Sequence, residues 1–214
     1  MTTARTIDFK KVHKALYTAT ASPALLDAPQ LAVLAVDGVG DPSGTVYREA
    51  VEALYGVSYA LRFALKKAGV ITYPVMPLEG LWWGSEDREL ITQSRDTWNW
   101  TMLIMQPPDV TRELAAQAIA ATAKKKATAA LQEIRLQQLT EGRCAQILHS
   151  GPYSEEAGTV DRLVSHLHQH GYQISGKHHE IYLSNPTRST PDKLRTIIRY
   201  PVSVHRSSAR AGGQ

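Results

Sequence analysis

Two parts of this 214-residue chain repeat the same order of predicted elements. In the first part an apolar strand, a Gly-Pro loop, a helix and two strands occupy 31–36, 37–44, 45–68, 77–84 and 98–105. In the second part the same elements occupy 144–148, 149–152, 155–170, 177–184 and 194–202. An internal repeat constrains a fold more than any single element does. The repeat predicts an α+β fold of two strand-helix-strand-strand modules related by a pseudo-twofold axis.

Local sequence agrees with the duplication. The segment Trp100-Thr-Met-Leu-Ile-Met-Gln-Pro can be aligned with the segment Leu194-Arg-Thr-Ile-Ile-Arg-Tyr-Pro. Chance similarity between two ordinary α+β units is the alternative, because both motifs are short. If the duplication is real, Glu79 and Glu180 are equivalent positions. A pseudo-twofold axis would then bring both carboxylates toward one central ligand cleft.

The chain is long enough for one or two domains with a sizeable core, and we expect a single domain over 1–214. Its predicted parts are module one at about 28–108, a linking helix and strand at about 109–141, and module two at about 142–204. The linking helix runs from Thr111 to about Ala130. Small and polar residues in 205–214 are typical of a flexible tail.

The strand around Glu180 carries the most unusual side chain for its predicted structure. Strand side chains alternate between faces, so His178, Glu180 and Tyr182 share one face, while His179 and Ile181 share the other. A glutamate in the middle of a strand runs against β-propensity, and such local exceptions often mark functional sites. A solvated outer face is the ordinary alternative.

All four tryptophans lie between positions 82 and 100. By alternation Trp83 shares a face with Glu79, so we expect Trp83 to contact the ligand and Trp82 to pack in the core, unless Gly80 forms a bulge. Trp100 and Met102 share a face and are candidate ligand contacts. Aromatic walls suit planar or cationic ligands, although a core position is an equally common role for a tryptophan.

Composition excludes several classes of function. The net charge of +4 is small and scattered, which does not favour nucleic-acid binding. A membrane span is not expected, since the chain has no run of about 18 apolar residues. The single cysteine, Cys144, cannot form an internal disulfide and fits the reducing cytoplasm. His166 and His170 have the spacing of some zinc ligands, but no accompanying motif supports a metal, and no cofactor is expected.

Three separated motifs resemble the GyrI-like small-molecule-binding family. They are Pro77-Leu-Glu-Gly-Leu-Trp-Trp-Gly, His149-Ser-Gly-Pro-Tyr, and Lys177-His-His-Glu-Ile-Tyr-Leu-Ser-Asn-Pro with Pro191-Asp-Lys-Leu-Arg-Thr-Ile-Ile-Arg. The resemblance covers about 8–204 and is greatest to stand-alone members. It implies the two-module fold with a ligand cleft between the modules. Since no DNA-binding segment precedes the motifs, a complete regulator is not expected.

The resemblance also implies a class of ligand. In related multidrug-responsive regulators, the glutamate that matches Glu180 meets cationic aromatic drugs. Some stand-alone members hydrolyse cyclopropane-bearing toxins that alkylate DNA. This chemistry would need a carboxylate to activate water and a proton donor to stabilise the oxyanion. The candidate catalytic residues are Glu79, Glu180 and Tyr182, and the candidate ligand contacts are Trp83, Trp100, Met102, Tyr153 and His178.

Two hypotheses therefore follow from the sequence. The first is a cofactor-free hydrolase that opens cyclopropanoid toxins. The second is a non-catalytic module that sequesters drugs or acts on a partner protein. The sequence does not assign the base and donor roles between the glutamates, and it leaves the natural ligand and the oligomeric state open.

Overall fold

The computed structural model describes residues 5–84 and 94–205. Its strands are β1 (Arg5–Thr6), β2 (Ala24–Ala28), β3 (Leu31–Val39), β4 (Ile71–Thr72), β5 (Glu79–Trp83), β6 (Asn99–Met105), β7 (Arg135–Leu139), β8 (Gly142–Ser150), β9 (Tyr172–Ile174), β10 (His178–Tyr182) and β11 (Arg195–Val204). Its helices are α1 (Phe9–Val12), α2 (Thr45–Lys67), α3 (Arg112–Ala123), α4 (Ala129–Glu133) and α5 (Ala157–Gln169).

One antiparallel sheet organises the described chain. Its strand order is β2-β8-β11-β10-β5-β6-β3-β7, and β9 pairs with the far part of β11. The inner six strands read as two triplets, β8-β11-β10 and β5-β6-β3, which meet where β10 pairs with β5. In the chain, α5 follows β8 and α2 follows β3, so each triplet has one helix after the strand that comes first in its sequence. The fold class predicted from the duplication is therefore confirmed.

Both modules turn after their first strand at a glycine with positive φ. Gly40 has φ 112° and Gly151 has φ 127°. A side chain is strained in this region, whereas glycine adopts it freely. The helix of each module also ends next to a left-handed glycine, Gly69 or Gly171. This is a common helix C-terminal signal, so the two ends of α2 and α5 follow from the sequence.

The helices α2 and α5 cover the same face of the sheet. Tyr47 of α2 stacks on Trp82 of β5, with ring centroids 6.0 Å apart. Leu163 of α5 belongs to one buried cluster with Ile147 and Ile198 of the sheet. Ile198 stands opposite Glu180 in the β10–β11 pair, and opposed residues share a face. The region between the two helices on the Glu180 face of β10 is below called the central cleft.

The opposite face of the sheet is covered by the segment before β2. The Gln146 side chain donates hydrogen bonds to the carbonyls of Ala15 and Thr18, at 2.8 and 3.1 Å. Arg199 donates to the carbonyl of Leu16 at 2.6 Å. Leu16 and Tyr17 are buried there. The segment before β2 therefore closes the second face of the sheet.

Several local predictions need correction or fall outside the description. The single helix predicted from Thr111 to about Ala130 is two helices, α3 and α4. The polar run Lys124-Lys125-Lys126 lies between them, where few apolar side chains are available to bury another helical turn. Residues 85–93, which follow the strand predicted at 77–84, and nearly all of the tail predicted for 205–214 lie outside the described residues. No helix in the described ranges is long and apolar enough to cross a membrane.

Gly38 of β3 should be sensitive to substitution because the Trp100 ring lies against it. The two residues are opposed in the β3–β6 pair, and a Cβ at position 38 would collide with ring carbons of the fully buried Trp100. We expect Gly38→Ala to lower the free energy of unfolding by about 1–3 kcal/mol, as overpacked cores do. Urea denaturation measures this change.

The matched control is Gly158→Ala in the first turn of α5. A Cβ there meets no atom within 4 Å, and alanine favours a helix over glycine by up to about 1 kcal/mol. This variant should be as stable as the wild type or more stable. Equal destabilisation of both variants would contradict the packing role assigned to Gly38.

Candidate functional site

The register between β5 and β10 decides which side chains face the central cleft. Glu180 stands opposite Gly80, and Glu79 stands opposite Ile181. Opposed residues share a face and adjacent residues alternate, so Glu180 faces the cleft and Glu79 faces the other way. The expectation that both glutamates enter one cleft was wrong. A twofold axis between antiparallel strands is perpendicular to the sheet and preserves its faces, so the two glutamates are not symmetry mates.

Glu180 is held by a chain of hydrogen bonds across the floor of the cleft. Its side chain is 13% exposed, and its Oε1 lies 2.9 Å from Nε2 of His178. A carboxylate only accepts, so Nε2 donates this bond. The other ring nitrogen of His178 lies 2.6 Å from the Tyr200 hydroxyl. Burial acts to raise the pKa of Glu180, but the hydrogen bonds and charge around it, with His178 first, lower it overall.

Tyr182 lies beside Glu180 on the same face, as predicted. Its hydroxyl accepts a hydrogen bond from the indole N–H of Trp82 at 3.1 Å. Burial, then the charge and hydrogen bond of Glu180, raise the pKa of Tyr182 well above its ordinary value. The phenol therefore keeps its proton beside the Glu180 carboxylate. The glycine at position 80 makes room for this pair, since a Cβ there would meet the Trp82 Nε1 and the Tyr182 hydroxyl.

A third carboxyl group, Glu156, reaches this cluster from the start of α5. Its residue is only 8% exposed, and one of its carboxyl oxygens lies within 4.8 Å of a Glu180 oxygen. Burial, followed by the interaction with the Glu180 carboxylate, raises the pKa of Glu156 strongly. Two buried carboxyl groups this close do not both ionise, because the two charges would repel each other. The cleft therefore contains one ionised and one protonated carboxyl group.

The loop that leads to Glu156 is held in place by His149. Its two ring nitrogens lie 3.0 Å from the Thr159 hydroxyl and 3.1 Å from the Pro152 carbonyl. This loop also places Tyr153 at the mouth of the cleft, with its ring edge-on to Tyr182 at 5.9 Å between centroids. Tyr153 is 38% exposed, so it can contact a ligand. Burial and the charge of Glu180 raise the pKa of Tyr153 to about 12.

The aromatic walls differ from those predicted. Trp82 packs in the core as expected, at 4% exposed, but it does so on the Glu180 face, and Trp83 lies on the Glu79 face. The ammonium of Lys177 lies 3.1 Å from the centroid of the Trp83 ring. The assignment of Trp83 to the ligand was therefore wrong, because it assumed that Glu79 faces the cleft. Trp100 and Met102 lie on the predicted face, but both are fully buried, so they pack beneath the exposed side chains of the cleft.

Glu79 belongs instead to a buried ionic network on the second face of the sheet. Its two oxygens lie 2.8 Å from the Tyr17 hydroxyl, which donates, and 3.0 Å from Nε2 of His179. The other nitrogen of His179 lies 2.9 Å from Glu141, whose second oxygen accepts from Arg199 at 3.2 Å. The pairs alternate in charge and are at most 4% exposed. Buried charges in such pairs depend on every partner.

Sequence reasoning identified one half of the cluster and missed the other. His178, Glu180, Tyr182 and Tyr153 meet at the central cleft as predicted. Glu156 was missed because it lies in a polar loop whose neighbour, Glu155, is exposed. Tyr47 was not among the predicted site residues, yet its ring stacks on Trp82 on the same face as Glu180. Within the described residues, Glu156, His178 and Glu180 also place ligand atoms within 4.8 Å of one another, close enough to hold a metal ion.

The buried network predicts that stability falls at alkaline pH. Burial lowers the pKa of His179, but Glu141 and Glu79 outweigh it and raise that pKa from 6.5 to about 9. Between pH 6.5 and about pH 9, folding therefore binds a proton on His179 that the unfolded chain does not hold. Stability from this group is complete below about pH 6.5 and is lost as pH rises through about 9, by on the order of 3 kcal/mol. Urea denaturation at several pH values between 6 and 10 measures the slope.

A substitution identifies the source of this slope. His179→Gln removes the titrating ring, and its unfolding free energy should vary much less over the same pH range. Asp27→Asn breaks the exposed ion pair with Arg143 and should leave the slope as in the wild type. An unchanged slope in the His179 variant would show that other groups cause the alkaline loss.

Comparisons with known proteins agree with this geometry. A family model described as a GyrI-like small molecule binding domain matches residues 22–203. Comparison with curated proteins gave no match. A solved structure from Listeria innocua, described as an uncharacterized conserved protein, is 38% identical, with a TM-score of 0.86, over 92% of this chain and all of its own.

Two further solved structures extend the comparison. One from Listeria innocua, described as a hydrolase, is 37% identical, with a TM-score of 0.82, over 92% of this chain and all of its own. The C-terminal domain of EcmrR is 13% identical, with a TM-score of 0.56, over 86% of this chain and 98% of its own. The last similarity concerns the fold alone.

Proposed function

Because this chain belongs to the GyrI-like small-molecule-binding family, as the match over residues 22–203 shows, we propose that it is a hydrolase of cyclopropanoid aromatic toxins. The observation that carries the proposal is the adjacent pair of carboxyl groups, Glu156 and Glu180, whose ligand atoms lie within 4.8 Å of each other beside the aromatic side chains of the cleft. Two carboxyl groups whose surroundings push their pKa values apart are a typical acid–base pair. The related Listeria innocua structure described as a hydrolase supports an enzyme.

The ionised Glu180 has the position of a base. His178 donates a hydrogen bond to it and fixes its orientation, Tyr182 lies beside it, and its side chain keeps some contact with solvent. A water molecule that hydrogen-bonds to Glu180 would be activated for attack on a ligand carbon in the cleft. The low pKa of Glu180 makes it a weak base, so the substrate must itself be reactive. A strained ring conjugated to a carbonyl group meets this condition.

The protonated Glu156 has the position of a donor. When water attacks a cyclopropane carbon, a new C–O bond forms and one C–C bond of the ring breaks. The electron pair of that bond passes through the conjugated system to the carbonyl oxygen, and the ring system becomes aromatic. Glu180 takes the proton of the water and Glu156 gives its proton to the oxygen. The proton then passes from Glu180 to the neighbouring Glu156, which restores both groups.

A non-catalytic drug-binding module is the second candidate function. The charge of Glu180 beneath Tyr153 and the Tyr47–Trp82 stack would hold a planar cation without any reaction. Both functions use the same cleft. They differ in whether the ligand leaves unchanged.

The test uses a spirocyclopropyl cyclohexadienone, whose ring opening to a phenol is followed by absorbance. We expect the wild type to turn over many equivalents. Glu180→Gln and Glu156→Gln keep the size of each side chain but remove the base or the donor. Each variant should lose at least about 100-fold in kcat, the usual contribution of general acid–base catalysis, while binding persists.

Glu155→Gln is the matched control. This residue precedes Glu156 in the chain but is exposed, so its variant should retain wild-type turnover. Stoichiometric binding of the dienone without turnover by the wild type would refute the hydrolase and support the drug-binding module. Equal loss in the Glu155 and Glu156 variants would refute the donor role.

A further inference from the structure

We propose that Glu156, Glu180 and His178 also form a binding site for a divalent transition-metal ion, with Zn²⁺ as the best match. One ligand atom from each residue lies within 4.8 Å of the other two. Two carboxylate oxygens and one imidazole nitrogen are a common three-ligand set for zinc, with a fourth position left for water. The proposal concerns metal binding and does not depend on whether the protein hydrolyses any substrate.

An unpartnered oxygen of Glu156 points to a missing ligand. The residue is 8% exposed, and its Oε1 has no hydrogen-bond partner among the described residues. Leaving a buried carboxyl oxygen without a partner is costly, and a bound ion, a water molecule or a functional role explains such atoms. The neighbouring Glu180 and His178 are themselves metal-ligand types. A cation between the three side chains would provide the partner that Glu156 lacks.

His178 is supported in the way that metal-binding histidines are. Its Nδ1 lies 2.6 Å from the Tyr200 hydroxyl, which leaves Nε2 directed at Glu180. A phenol can either donate or accept, so the Tyr200 hydroxyl can accept from Nδ1–H when Nε2 coordinates a metal. Such an outer hydrogen bond fixes the ring and the tautomer of a metal ligand. The arrangement needs no movement of β10 or β11.

Charge gives the reason that a cation would bind. Two buried carboxylates within 4.8 Å of each other are costly unless a positive charge lies between them. A divalent ion would neutralise both carboxylates at once. Because the proposed hydrolysis uses the same two side chains, Zn²⁺ binding and hydrolysis are alternative states of one cluster.

The experiment titrates ZnCl₂ into chelator-treated, full-length protein by isothermal titration calorimetry. The wild type should bind one equivalent at this cluster. Glu156→Gln and His178→Gln should each weaken that binding at least 10-fold, and Tyr200→Phe should weaken it about 10-fold through loss of the outer hydrogen bond. Circular dichroism confirms that each variant is folded, and the conservative Tyr200 variant keeps the test valid if a ligand variant unfolds.

The surface pair His166 and His170 is the control. Their rings lie 4.0 Å apart on α5, so they are a competing zinc site on the same protein. The double variant His166→Gln/His170→Gln should still bind one equivalent of Zn²⁺ with the affinity of the wild type. The proposal is overturned if this double variant loses the site, if Glu156→Gln binds as tightly as the wild type, or if the wild type binds no Zn²⁺ at millimolar concentration.

Discussion

The antiparallel pairing of β5 with β10 is the interaction on which the rest of the structure depends. It joins the two modules into one sheet and sets Glu180 opposite Gly80. Because a strand alternates its side chains, a register shifted by one residue would exchange the two faces. The pairing therefore decides that Glu180 enters the cleft between α2 and α5, and that Glu79 and His179 lie beneath the N-terminal segment.

The two faces of the sheet at the β5–β10 pair differ in how completely their polar atoms are paired. On the cleft face, Glu180 and Glu156 form a cluster with Tyr47, Tyr153 and Tyr182 that is partly open to solvent. One oxygen of this cluster, Oε1 of Glu156, has no hydrogen-bond partner among the described residues. On the other face, each carboxylate oxygen of Glu79 and Glu141 has a partner within 3.2 Å. A satisfied buried network fixes the sheet rigidly, whereas an incompletely satisfied cluster retains capacity for a ligand. The neighbouring strand positions 79 and 80, and 179 and 180, connect stability directly to the site.

The sequence predicted the modules well because repeat order, apolar runs and glycine stops are local signals. It predicted that His178, Glu180 and Tyr182 share a face because alternation within one strand is local too. It could not predict the relation between Glu79 and Glu180, since that depends on the register of two strands about a hundred residues apart. For the same reason the sequence analysis placed Trp83 on the cleft face and Trp82 on the opposite face, the reverse of what the strand pairing shows. Glu156 was out of reach because only the folded α5 loop brings it to β10.

The most direct test of this account is the behaviour of Glu79→Gln toward a planar aromatic cation. Ethidium fluorescence measures its affinity for the cleft, and urea denaturation of the same preparation measures stability. The account predicts ethidium affinity within about twofold of the wild type, together with a loss of about 3 kcal/mol in unfolding free energy, because one partner of a buried ionic network is removed. Weakened ethidium binding with unchanged stability would contradict it, since Glu79 would then act in the cleft.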